Sequence, residues 1–288
     1  MIALLVTILG HLFYGTTNVM WKNPRNEMGT LPLIITRSFF SFLIFLISFF
    51  ALTNLDLITI PKITFWDLLS TAAICAVNYF GLFFYLKSLK HAPVSSTIGF
   101  GKVSLIIGVL SAYFLYDEEI STVKIIMCII VLIGVTFIER AARIGSAVMS
   151  KGLMYSILCK LFWGTSYLFV PFIDKLGPIL FCVVLEFIVC TLSCLLLIGS
   201  RSKFPSHTVS RRTKFEIGIL VVLGTGGTFC LNFALANISI LLFATLALIE
   251  PILGLIISKI YHKERLTPLQ YAGVWMGIVA AFVLGLTK

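Results

Sequence analysis

Apolar residues run through this chain in long blocks separated by short polar stretches. From Leu31 to Leu52 a single charge, Arg37, interrupts twenty-two residues, close to the ~20 apolar residues with which a helix crosses a bilayer. The same criterion predicts ten spans, near 2–21, 31–52, 66–88, 93–115, 121–138, 150–172, 178–198, 215–236, 238–260 and 268–286. The connections leave no room for a soluble domain, so the expected fold class is an all-α integral membrane protein. The first block lacks a basic leader and a small-residue cleavage site, and is expected to be a span, not a signal peptide.

Composition agrees. The chain is 59% hydrophobic and 12% charged, whereas soluble domains are roughly half apolar and a quarter charged. A net charge of +10 would suggest nucleic acid in a soluble protein. Here the basic residues sit mainly in loops and at span ends, where they report membrane orientation, and no nucleic-acid partner is expected. The seven cysteines all fall in apolar spans without metal spacing, and read as small buried hydrophobes.

The chain also repeats itself. "ILGHLFYGTT" from Ile8 aligns with "ILCKLFWGTS" from Ile157, an offset of 149 that sets Arg37 opposite Glu186 and His11 opposite Lys160. Further on, "YDEEIS" (Tyr116 to Ser121) meets "HKERLT" (His262 to Thr267). Weak self-similarity over half a chain marks duplicated membrane folds. Residues 1–143 and 144–288 each hold five spans, and an odd number inserts the second half from the opposite face. The expectation is a 5+5 inverted repeat around a central cavity near the bilayer midplane.

Local chemistry refines this picture. Gly15 and Gly164 strip a side chain from a helix face, for close packing or for a ligand, and the neighbouring Tyr14 and Trp163 suit either a cavity wall or interfacial packing. Gly224, Gly226 and Gly227 loosen span 8 and mark an expected bend. Gly273 and Gly277 form a G-x-x-x-G, suited to internal packing or to a second copy, so a monomer or weak homodimer is expected. Thr267, Pro268 and Gln270 read as a capping box, Ser121 as its counterpart, and the acidic run Asp117 to Glu119 as a helix boundary.

The aromatic-Gly pairs, Lys22 ending span 1, Arg37 early in span 2, "IEPILGLIISKIYHKERLT" through span 9 and the repeat itself resemble the EamA-type branch of the drug/metabolite transporter superfamily. The similarity covers essentially the whole chain. It implies a ten-helix bundle with a cavity lined mainly by spans 1, 3, 4, 6, 8 and 9. It also implies transport of small metabolites, often amino acids or drug-like solutes and frequently by export, across a bacterial inner membrane and without a cofactor. The chain departs from the pattern in span 4, where Ser104-Leu105 stands at the place of Glu250-Pro251 and Lys102 is added.

Charges in spans cost ~3 kcal/mol or more on insertion scales and need a partner or a wet cavity. Lys102 lies roughly 12 Å into span 4, and repeat symmetry brings it towards Glu250, mid-span 9. Either the two form a permanent ion pair, or Lys102 takes a substrate carboxylate while Glu250 takes an amine or a coupling proton. Pro251 is expected to leave a carbonyl unpaired one turn earlier. Glu186 is a second candidate for proton coupling. Symmetry sends Arg37 and Glu186 towards opposite faces, so both are expected to anchor their helices separately, with no mutual salt bridge. Lys160 is expected to snorkel or to line the cavity. Asn18, Asn78, Tyr79, Tyr167 and Asn232 either line the cavity or hydrogen-bond between helices.

Two other classes compete with a transporter. A membrane-embedded enzyme is disfavoured because the four histidines lack metal spacing and no nucleophile-base set occurs. A non-transporting sensor or scaffold has no use for buried Lys102 and Glu250. No nucleotide-binding motif occurs, so a transporter would run on a proton or other ion gradient, or on its substrate's own. For orientation, of 22 Lys and Arg three lie within spans (Arg37, Lys102, Lys160) and four on one face (Lys62, Lys124, Lys175, Lys288), leaving fifteen on the other. The positive-inside rule then puts both termini outside, whereas the family resemblance implies termini in the cytoplasm.

Overall fold

The computed structural model describes residues 1–92, 94, 101–119, 121–142, 147–200, 204–205, 209–263 and 267–286. Its elements are helices: α1 (Ile2–Met20), α2 (Lys22–Met28), α3 (Thr30–Asn54), α4 (Phe65–Ser88), α5 (Gly101–Tyr116), α6 (Thr122–Ala142) and α7 (Ala147–Gly164). A 3-10 turn (Thr165–Phe169) leads to α8 (Val170–Leu176), α9 (Pro178–Gly199), α10 (Arg211–Leu235), α11 (Ile240–Leu246), α12 (Ile249–Tyr261) and α13 (Pro268–Leu286). Among the described residues, seven helical segments are long and apolar enough to cross a bilayer.

The bundle buries polar side chains among its apolar core and turns large apolar side chains outward. On α3, Arg37, Ser38 and Ser41 are buried while Phe39, Phe40, Ile47 and Phe50 are exposed. That polarity is stable only where the surrounding solvent is lipid, and the interior must then satisfy its own hydrogen bonds. The Thr225 hydroxyl, for example, donates to Ser41 Oγ at 2.7 Å across α10 and α3.

The dominant packing partners are α1 with α10 and α12, α3 with α9, α4 with α7, and α6 with α13. Each pair joins a helix of residues 1–143 to one of residues 144–288. Gly15 allows the first contact: a Cβ there would stand 3.0 Å from Leu253 and 3.3 Å from the Glu250 carbonyl. Gly164 does the same for α7 against Ile107 of α5. The G-x-x-x-G of α13 is used internally at Gly273, whose carbonyl faces Gly134.

Two predicted spans are broken, both by proline. In span 6, Pro171 has no N–H for the Tyr167 carbonyl one turn earlier; the Tyr116 hydroxyl donates to that oxygen instead, at 2.6 Å. The helix relaxes there into the 3-10 turn. In span 9, Pro251 separates α11 from α12, but the Ala247 carbonyl is not left unpaired as expected. It accepts from the Glu250 N–H at 3.2 Å. At Gly224, Gly226 and Gly227, where the sequence reading expects a bend, α10 stays one continuous helix. Those positions admit neighbours instead, as a Cβ at Gly227 would lie 2.6 Å from the Tyr14 ring.

Caps follow the sequence. Thr267 N–H donates to Gln270 Oε1 at 2.8 Å and Gln270 N–H to Thr267 Oγ1 at 3.3 Å, the predicted capping box. Glu118, in the acidic run, accepts from the N–H groups of Ile240 and Leu241 at 2.5 and 3.2 Å, which satisfies open donors of α11.

Candidate functional site

A cavity of about 140 Å³ lies at the centre of the bundle. His11 and Tyr14 of α1, Asn78 of α4, Lys160 and Trp163 of α7, Tyr167 of the 3-10 turn, Asn232 of α10, Phe243 of α11 and Glu250 of α12 all line it. A second cavity of about 70 Å³ adjoins it, lined by Asn18, Trp21, Arg37, Tyr79, Glu186, Leu220 and Gly224. The two share Tyr14, Asn78, Trp163, Leu185 and Thr228 as a partition. Tyr14 and Thr228 fasten it through a 2.9 Å hydrogen bond between their hydroxyls.

The carboxylate of Glu250 meets His11 Nδ1 at 2.8 Å and receives a long contact of 3.5 Å from Asn18 Nδ2. His11 is 1% exposed, and its other nitrogen, Nε2, has no hydrogen-bond partner among the described residues. Lys160 is also buried. Its ammonium stands 5.0 Å from the centre of the Trp163 ring, and no carboxylate lies within ion-pair distance among the described residues. The side chain of Lys102, expected opposite Glu250, lies outside the described residues.

Arg37 and Glu186 correct the sequence reading. They are not separate anchors but an ion pair, buried on both sides, with Arg37 Nη1 donating to Glu186 Oε1. Arg37 Nη2 also reaches Thr228 Oγ1 at 3.3 Å. Each residue lies roughly 10–12 Å inside its helix, and α3 and α9 pack along each other. The long guanidinium arm closes what gap is left. Gly224 makes room for it, since a Cβ there would stand 3.0 Å from Arg37 Nη2.

The other predicted polar residues divide. Asn78 Nδ2 donates to the Phe162 carbonyl at 3.2 Å, tying α4 to α7. Tyr79 accepts from Ser193 Oγ at 3.1 Å, and Asn232 returns to the Thr228 carbonyl of its own helix at 2.9 Å. These amides and hydroxyls already serve helix packing while lining a cavity. Tyr167 closes one wall with Phe243, their rings edge-to-face at 6.1 Å.

Beyond the second cavity, a cluster that the sequence reading did not single out stands at the Trp21 end. Glu216, fully buried one turn before Leu220, accepts from Asn23 Nδ2 of α2 at 2.8 Å and from Arg212 Nε at 3.0 Å. The Tyr261 hydroxyl at the end of α12 also donates to it, and the Arg212 guanidinium covers the Tyr261 ring at 5.0 Å. Glu27 receives the Ser210 N–H and hydroxyl at 3.0 and 2.8 Å nearby. The ends of α2, α10 and α12 are thereby joined.

Sequence reasoning met His11 as one of four scattered histidines and as the repeat partner of Lys160, and gave it no role. Its partner is 239 residues away, which no local spacing reveals. A usable signal was its place at the repeat offset from Lys160, in a span with no formal charge. Glu216 carried a fainter signal, a carboxylate inside a predicted span. Among the described residues, no three His, Cys, Asp or Glu side chains converge as metal ligands.

The profile of the EamA-like transporter family matches residues 1–140 and again residues 150–286. A solved crystal structure superposes with a TM-score of 0.73 at 14% sequence identity, covering 99% of this chain and 97% of the other. At that identity the likeness speaks for the fold. No curated protein matches the sequence. A bundle of long apolar helices with an apolar exterior and two family matches spanning most of the chain lead to one assignment: this multi-pass membrane protein belongs to the EamA-like transporter family of the drug/metabolite transporter superfamily, a family of transporters and not of enzymes.

Proposed function

We propose that the protein is a secondary transporter that moves a small amphiphilic metabolite, such as an amino acid or a drug-like solute, by alternating access and in the export direction. The observation that carries this reading is the central cavity, walled by residues of both halves and furnished with a carboxylate, an ammonium and several aromatic rings. Such a lining pairs apolar enclosure with a few convergent polar groups, as small-molecule sites do.

The mechanism rests on a ten-helix 5+5 inverted repeat. Two family matches, one on each half, support it, as does a packing scheme whose main pairs all cross between the halves. In this reading the Glu216 cluster holds the Trp21 end shut, and rocking of the halves releases it. Glu250 carries a coupling proton. Glu186, bound to Arg37, belongs to the framework. Lys102 stands as a further substrate contact on its sequence position alone. The positive-inside count places the Trp21 end in the cytoplasm and both termini outside.

The test is flux. Purified protein in liposomes, given a panel of radiolabelled amino acids and amphiphilic solutes with and without a pH gradient, should accumulate or release at least one of them. A protein that moves none while the gradient holds is not this transporter.

A further inference from the structure

His11 and Lys160 occupy equivalent positions of the two halves and line the same cavity. Among the described residues, Lys160 brings a buried ammonium with no carboxylate in reach, and His11 a buried nitrogen with no hydrogen-bond partner. Building on the transporter reading above, we propose that this pair is a receptor for an anionic group, a carboxylate or its like, and that it takes the anion together with one proton.

The chemistry follows from the hydrogen bond at the far side of the imidazole. His11 Nδ1 lies 2.8 Å from Glu250 Oε1, so with an ionised Glu250 that nitrogen is the donor. A neutral His11 then presents a lone pair at Nε2 and repels an anion. One proton added to the His11–Glu250 unit, wherever it settles, turns Nε2 into an N–H donor. The anion is then held between that N–H and the Lys160 ammonium.

Charge balance favours the same coupling. Among the described residues, with His11 neutral, the charges of Glu250 and Lys160 cancel in the cavity. An anion entering alone leaves one negative charge uncompensated in a low-dielectric interior, where unpaired charge is costly. An anion entering with a proton restores neutrality.

Other titratable groups face this unit. Lys160 and Cys159 approach from α7 and Cys230 from α10, while Tyr14 lies on His11's own helix. α11 contributes only Phe243 and Ala244 to the wall. Arg37 and Glu186 lie beyond Tyr14 and cancel each other. Of these groups only the His11–Glu250 unit joins a carboxylate to an imidazole, so it is the one that sets the proton count.

Titration calorimetry of the purified protein with benzoate and with its neutral isostere benzamide, in buffers of different ionisation enthalpy between pH 5.5 and 8.5, tests the proposal. Benzoate should bind with uptake of close to one proton at the upper end of that range, its affinity falling by up to tenfold per pH unit. Benzamide should take up none. Lys160→Gln should weaken benzoate tenfold or more and leave benzamide within twofold. His11→Gln should bind weakly with no proton uptake. Glu250→Gln should bind benzoate with neither proton uptake nor pH dependence, because the new amide can donate to Nδ1 and leave a permanent N–H at Nε2. That last variant guards against misfolding as an explanation, since it is expected to bind.

Failure of benzoate to bind at any pH, binding without proton uptake, or uptake that persists in Glu250→Gln overturns the inference. A protein that fails here but moves neutral solutes in liposomes stays a transporter. One that binds benzoate with a proton yet moves nothing loses only the transport reading.

Discussion

Arg37 and Glu186 are 149 residues apart and form a buried ion pair, and 149 is also the offset at which the first half of the chain aligns with the second. The pair therefore joins two equivalent positions, on helices that pack along one another at the seam between halves.

Removing one partner of such a pair strands a charge in a dry interior, at a cost of about 3–5 kcal/mol. Arg37→Met and Glu186→Gln are each expected to lower thermal stability in detergent sharply. The double variant Arg37→Met/Glu186→Gln should recover much of the loss. Additive losses in this double-mutant cycle would show that the two side chains do not act as a unit.

The sequence made the long apolar helices and the place of Pro251 legible, because run length and residue identity suffice for those, while Pro171 was not singled out. It did not make the pairing across the seam legible. Symmetry sent Arg37 and Glu186 to opposite faces only if each side chain stayed at the depth of its own backbone, and an arginine need not. His11 was obscured for a different reason. A lone histidine on an apolar helix acquires meaning from what faces it, and Glu250 comes to face it only through the packing of α1 on α12. Glu216 went unread because its partners come from α2, its own helix and the end of α12, and only the folded bundle brings them together.

The Tyr116 hydroxyl serves the Tyr167 carbonyl that Pro171 leaves open. Tyr116→Phe should cost about 0.5–1.5 kcal/mol, the usual net worth of one hydrogen bond. Pro171→Ala restores an N–H one turn on, and in that background Tyr116→Phe should cost much less. Thermal melts of the four proteins decide it; an equal cost in both backgrounds refutes the assignment.

The Glu216 cluster predicts controlled access at the Trp21 end. Hydrogen bonds to a charged group contribute about 1.5–3 kcal/mol each, and 1.4 kcal/mol is a factor of ten. On a background without the native cysteines, Leu220→Cys should react with a water-soluble methanethiosulfonate at least tenfold faster when Glu216→Ala is added, the effect of losing even one of its three hydrogen bonds. Unchanged labelling would mean that the cluster is not what closes this end.

Orientation has a direct measurement. With the termini outside, a cysteine placed by Ser206→Cys in the basic segment after α9 is cytoplasmic, and should resist an impermeant thiol reagent in intact cells. Ready labelling there would reverse the assignment.

Trp163 stands in the partition between the two cavities, and behind it is Gly81, where any added Cβ would collide with the indole. Neither cavity counts Gly81 in its wall. The position of the partition is thus fixed from behind, by a missing methyl group on a helix surface outside both cavity walls. A larger residue at 81 would have to push the indole towards Tyr14 or Lys160, narrowing one chamber as it widens the other. The division between the two cavities can therefore be shifted without altering a residue that lines either one.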